Sequence, residues 1–74
     1  MPNKLRELRY RKVLKQSEVA ELIGLKGTAR ISLWETGEAM PSVENLFKLA
    51  NLFEVAVEEI YPILTTTHLS HLNF

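Results

Sequence analysis

The chain has 74 residues and among them no cysteine and no aspartate. Without cysteine, no disulfide can staple the fold and no thiolate can hold a metal. Without aspartate, every side-chain carboxylate belongs to a glutamate. No apolar run approaches the roughly 18 residues that a membrane-spanning helix needs. No basic-then-apolar leader opens the sequence, and no glycine-rich loop is built to cradle a phosphate. These absences lead to the expectation of a cytoplasmic protein with no membrane partner.

What is present fits a globular domain. Hydrophobic residues make up 46% of the chain, enough to build a core. A domain this small buries roughly 60% of its unfolded surface, so its stability is marginal. The net charge of zero hides an asymmetry. Residues 1–33 carry eight basic residues against three glutamates, and residues 34–74 carry one lysine against six glutamates. A basic half attracts a polyanion, and the acidic half weakens that field. The plain alternative is two solvated faces.

The apolar spacing is helical almost throughout. Asn3 is placed to cap a first helix over about 4–13, with Leu5, Leu8 and Lys12's stem or Val13 facing inward. A second helix runs over about 16–23 on Val19, Ala20, Leu22 and Ile23, and Gly24 stops it. A third covers about 28–35, with Ile31 and Trp34 buried and Gly37 at its end. Ser42 caps a fourth over about 43–53, with Leu46, Phe47, Leu49, Ala50 and Phe53 inward. A short fifth helix spans 57–61, before Pro62. The last stretch, ILTTTHLSHLNF, has no charged side chain and changes character. The expected fold is all-α, a compact bundle of five short helices over residues 1–62. A C-terminal tail, 63–74, is left for dimerisation or partner contact.

The second and third helices are joined by a short glycine-containing turn, the helix-turn-helix arrangement. Three runs make the pattern more specific: QSEVAELIG, ISLWETG and PSVENLFKLANLFEV. With Arg9 and Leu14 before them, they resemble the lambda-repressor-like (Cro/CI-type, Xre-family) helix-turn-helix domains over about residues 4–61. The resemblance implies a five-helix DNA-binding domain whose third helix lies in the major groove. It also implies that Arg9 and Glu35 form a structural ion pair, and that Gln16 contacts the DNA backbone. On the third helix, Ile31 and Trp34 turn inward and leave Thr28, Ala29, Arg30, Ser32 and Leu33 outside. Arg30 can fork onto guanine or pair with a phosphate; methyl groups of Thr28, Ala29 and Leu33 suit thymine. Ser32 can bond to base edges or phosphate, and Lys26 suits phosphate.

Three departures from the family pattern stand out. The segment from Gly24 to Gly37 is one residue longer than usual, and the extra residue is expected within 25–27. Lys15 replaces the usual small hydroxyl cap; it gives up a cap but puts a cation beside the expected phosphate site. Glu38 follows the third helix where many relatives carry a basic residue.

These residues lead to the expectation of a sequence-specific transcriptional regulator, in particular a dimeric repressor. Double-stranded DNA is its partner, in a prokaryotic or phage-encoded, nucleoid-associated setting. A dimer needs apolar surface, for which Val57, Ile60, Tyr61, Ile63, Leu64, Leu69, Leu72 and Phe74 are the candidates. The reading of a different class is a protein-interaction module of the same fold, such as an antitoxin or anti-repressor. No enzyme is expected. Ser17, Ser32, Ser42 and Ser70 lack histidine–acid partners at recognisable spacing. His68 and His71 lack a third ligand nearby, so neither a metal nor a cofactor is expected.

Overall fold

Four consecutive helices end in the same hydrogen-bond closure. The computed structural model describes residues 2–64. Its helices are α1 (Leu5–Arg11), α2 (Gln16–Ile23), α3 (Ala29–Thr36), α4 (Val43–Phe53) and α5 (Val57–Ile60), and residues 62–64 are also helical. After each of the first four, one left-handed residue turns the chain back: Val13, Gly24, Gly37 and Glu54. The next amide then bonds to a carbonyl in the helix's last turn. These bonds are Leu14 N to Arg9 O (3.1 Å), Leu25 N to Ala20 O (2.8 Å), Glu38 N to Leu33 O (3.0 Å) and Val55 N to Ala50 O (3.0 Å). This is the Schellman motif, which normally sets an apolar residue just after the turn against the helix it ends. Leu14, Leu25 and Val55 follow that rule and pack against the core.

The core draws on every helix. Leu5 and Leu8 meet Val19, Ala20 and Ile23 of α2, Ile31 and Trp34 of α3, Leu49, Ala50 and Phe53 of α4, and Ile60 and Tyr61. Ala20 is small and buried, which lets α2 and α3 approach closely. The chain start is tied down at three points. Asn3 Oδ1 accepts from Leu5 N at 3.0 Å, and Asn3 Nδ2 donates to Trp34 O at 2.8 Å. Lys4 N donates to Ile60 O at 3.0 Å. At the other junction, Ser42 Oγ accepts from Asn45 N at 3.2 Å and caps α4.

The described residues contain no strand, and the all-α expectation holds. Several details differ. α1 is shorter at its C-terminal end, because Val13 adopts φ +56° and stops it; Val13 is 86% exposed and is not a core residue. Leu22 and Phe47 are exposed as well. On α2 the buried stripe runs through Val19, Ala20 and Ile23, and on α4 through Leu49, Ala50 and Phe53. Leu22 and Phe47 sit off those stripes, so apolar character alone does not bring them inside. α3 begins one residue later than its pattern suggested, at Ala29, after a Thr28 whose side chain makes no cap bond. Ile60 and Tyr61 are fully buried, so they serve this domain's own core and are not available to a dimer. Leu64 also packs on the core, while Ile63 is exposed. Leu69, Leu72 and Phe74 lie outside the described residues, as do His68 and His71.

Candidate nucleic-acid interface

α2, the turn after it and α3 form the helix-turn-helix. α3 splits into two faces. Ile31 and Trp34 are buried, whereas Ala29, Arg30, Ser32 and Leu33 are exposed, with Lys26 and Thr28 beside them. Neither Arg30 nor Lys26 forms an ion pair with another described residue. The outward face therefore presents free cations, hydroxyls and methyl groups, and no carboxylate between Lys26 and Leu33.

The longer turn can now be divided. Leu25 belongs to the closure of α2 and is anchored on the core. Lys26, Gly27 and Thr28, which lie between that closure and α3, are all exposed. An open concavity lies against this turn, lined by Gly24, Leu25, Lys26, Gly27, Ala29 and Arg30. It brings Lys26 and Arg30 onto one surface.

At the start of α2, Lys15 has no acceptor to offer the helix, so its side chain caps nothing. Only the return half of a capping box forms: Glu18 Oε1 accepts from Lys15 N at 2.8 Å. The Lys15 side chain is left exposed. Gln16, expected at the DNA backbone, is half-buried and gives one amide N–H to Glu35: Nε2 donates to Oε1 at 3.1 Å.

Glu35 is the centre of a four-residue cluster. Arg9 forks onto it, with Nε 2.6 Å from Oε2 and Nη2 3.1 Å from Oε1. The remaining Arg9 nitrogen, Nη1, donates to Leu14 O at 3.0 Å, and the guanidinium lies over the Tyr10 ring. The expected Arg9–Glu35 pair thus joins α1, the turn after it and the end of α3. Arg6, which the sequence pattern did not single out, adds a third contact, Nε to Oε1 at 3.3 Å. Its signal was present: Arg6 and Arg9 are three apart and share a helix face. Desolvation pushes the Glu35 carboxyl toward a higher pKa. The hydrogen bonds from Arg9, Gln16 and Arg6, with Arg9's charge, outweigh it and hold the pKa below the ordinary value. The same Glu35 hydrogen bond pushes Arg9's pKa up.

The comparison with known families agrees with this architecture. The helix-turn-helix family model matches residues 5–60. The chain belongs to the helix-turn-helix family. Within that family it resembles the HTH-type transcriptional activator BcrR of Enterococcus faecalis. The two are 39% identical over 57 residues, covering 77% of this chain and 28% of that protein. It also resembles the cryptic phage CTXphi transcriptional repressor RstR of Vibrio cholerae serotype O1. That match is 36% identical over 45 residues, covering 61% of this chain and 39% of RstR. The matched segment therefore covers well under half the length of either relative. No described helix is long and apolar enough to cross a membrane. Among the described residues no group of three or more His, Cys, Asp or Glu could hold a metal ion.

Proposed function

We propose that this chain regulates transcription by binding double-stranded DNA as a homodimer, with α3 in the major groove of each half-site. One observation carries the reading: α3 buries Ile31 and Trp34 and turns Arg30, Ser32, Ala29 and Leu33 outward without a competing carboxylate. Arg30 reads a base edge; Lys26, Thr28 and Lys15 meet phosphates at the two ends of the unit. Gln16 gives one amide N–H to Glu35 and keeps the other to donate to a backbone phosphate. Few phosphate contacts imply modest affinity, with a salt slope near −4 for some four neutralised phosphates per subunit. A dimer on two half-sites about one helical turn apart compensates for that. The relatives include an activator and a repressor; we adopt repression by operator occupancy.

The test is selection from a pool of random duplex DNA at about 0.1 M salt. Enrichment of a palindromic site, with sedimentation of the full chain as a dimer, is the expected result. Binding no better than to bulk DNA would remove the reading. It would favour the protein-interaction module, for which the exposed Leu33, Val43 and Phe47 offer surface.

A further inference from the structure

The Glu35 cluster holds more positive charge than its architecture uses. One carboxylate faces two guanidiniums, and Arg9 alone occupies both of its oxygens. Glu35 and Arg9 side chains are 1% and 10% exposed, so their charges cancel inside the fold. Arg6 is 53% exposed and touches Glu35 through Nε only, at 3.3 Å. The surplus charge of the cluster therefore sits on Arg6, at the surface. Its terminal nitrogens have no other partner among the described residues.

The position of that charge is also fixed. Arg6 Nε and Gln16 Nε2 both donate to the same atom, Glu35 Oε1. Arg6 is thus no more than two hydrogen-bond lengths from the side chain that opens α2. It comes from α1, outside the helix-turn-helix, yet it shares an acceptor with Gln16 at the start of α2. The other cation on this stretch of α1, Arg11, is engaged by Glu7 at 2.7 Å. Lys12 is engaged by Glu54. Of Arg6, Arg11 and Lys12, Arg6 alone is paired with a carboxylate that is already neutralised.

We infer that Arg6 is a DNA-backbone contact, held by Glu35 so that its free Nη groups meet a phosphate next to the start of α2. A fork of two N–H groups on a planar guanidinium suits phosphate oxygens. The long Nε bond to Glu35 fixes the orientation without consuming the fork. Glu35 then acts twice: it braces α1 against α3, and it positions Arg6. This rests on the DNA-binding reading above and adds a residue that lies outside the two helices of the motif.

The experiment compares full-length wild type, Arg6→Gln and Arg6→Lys on random-sequence duplex DNA across a salt series, with melting temperatures measured alongside. Arg6→Gln should flatten the slope of log K against log salt by about 0.9, one phosphate's share. It should weaken binding equally on any sequence and leave the melting temperature near wild type, since Arg9 still satisfies Glu35. Arg6→Lys should keep the slope, because the charge remains. An unchanged slope in Arg6→Gln would overturn the assignment while the DNA-binding reading stands. So would a lowered melting temperature with the slope intact, because that is the mark of a brace. Wild type without salt-dependent binding would overturn both.

Discussion

Gln16 Nε2 donates to Glu35 Oε1 at 3.1 Å, tying the first residue of α2 to the last turn of α3. The two helices of the motif are therefore joined at this end by a side chain and at the other by the Gly24–Thr28 turn. Their relative angle is set at both places. Glu35 is the common anchor, because Arg9 brings α1 and the turn after it to the same carboxylate.

Removing that anchor should damage the fold before it alters DNA reading. Glu35→Gln leaves Arg9 with an uncompensated buried charge and replaces charged bonds with neutral ones. Breaking one side of a buried pair costs about 3–5 kcal/mol. The lower end, about 3 kcal/mol, applies here because half-exposed Arg6 lets solvent reach one side. Chemical denaturation of both proteins reads this difference. An unchanged midpoint would remove the structural role of the pair.

Acid should act through the same residue. The Glu35 carboxyl is held below its ordinary pKa in the folded state, so the folded protein binds a proton there less readily than the unfolded chain. The stability this contributes is complete above the ordinary carboxylate pKa. It is lost as pH falls from there through the lower, folded value. Glu54 is shifted in the same direction by its Lys12 hydrogen bond. Denaturation midpoints measured from pH 7 downward should fall in the acid range, and less steeply in Glu35→Gln. Parallel curves for the two proteins would assign the acid sensitivity elsewhere.

The helices were legible in the sequence because their signals are local. Gly24, Gly37 and Ser42 are the residue types that end and begin helices, and Ile31 with Trp34 marks a buried edge. The end of α1 at Val13 was not legible; the end of α4 was read correctly at about 53, but not the left-handed Glu54 that closes it, since neither residue type favours a left-handed backbone. There the Schellman bonds and the packing of Leu14 and Val55 override local preference. The outward face of α3 followed from the inward one. The four-residue cluster did not, because Arg6, Arg9, Gln16 and Glu35 come from three helices and meet only when these pack. The apolar excess at Leu22 and Phe47 misled for a related reason: which helical stripe is buried depends on where the neighbouring helix lies.

Val13 offers a direct gain in stability. A β-branched residue at φ +56° is strained, by about 1–2 kcal/mol. Its side chain is 86% exposed and contributes little packing in return. Val13→Gly relieves the strain, offset in part by the greater freedom of glycine in the unfolded chain. A net stabilisation of about 1 kcal/mol is expected. For a domain this size that raises the melting temperature by about 4–8 °C. Calorimetry would read it, and a lowered melting temperature would mean that the valine makes contacts worth more than its strain.

Gly27 differs from the two glycines that end helices. Its backbone is not left-handed, and a Cβ built on it meets nothing within 4 Å. Its freedom is therefore not used by the folded state and only adds entropy to the unfolded one. Gly27→Ala should stabilise the domain by about 0.4–1 kcal/mol. The matching Gly24→Ala should destabilise it, because Gly24 sits at φ +86°. Melting temperatures moving in opposite directions would check both. A loss of stability in Gly27→Ala would show that the turn needs the glycine after all.

Arg30 tests the orientation of the whole motif. It is exposed on α3, free of any ion pair with a described residue, and shares a surface with Lys26. If α3 lies in the major groove, Arg30 is placed to fork onto a guanine, and Arg30→Ala should cost about 1–3 kcal/mol on the selected site. The loss should be concentrated at one or two positions of the site, where sequence preference relaxes. Lys26→Ala should behave differently, weakening every sequence alike and flattening the salt slope by about 1, as a phosphate contact does. Repeating the random-pool selection with each variant separates the two patterns. Unchanged affinity and preference in Arg30→Ala would mean that α3 does not meet the bases, whatever else the domain binds.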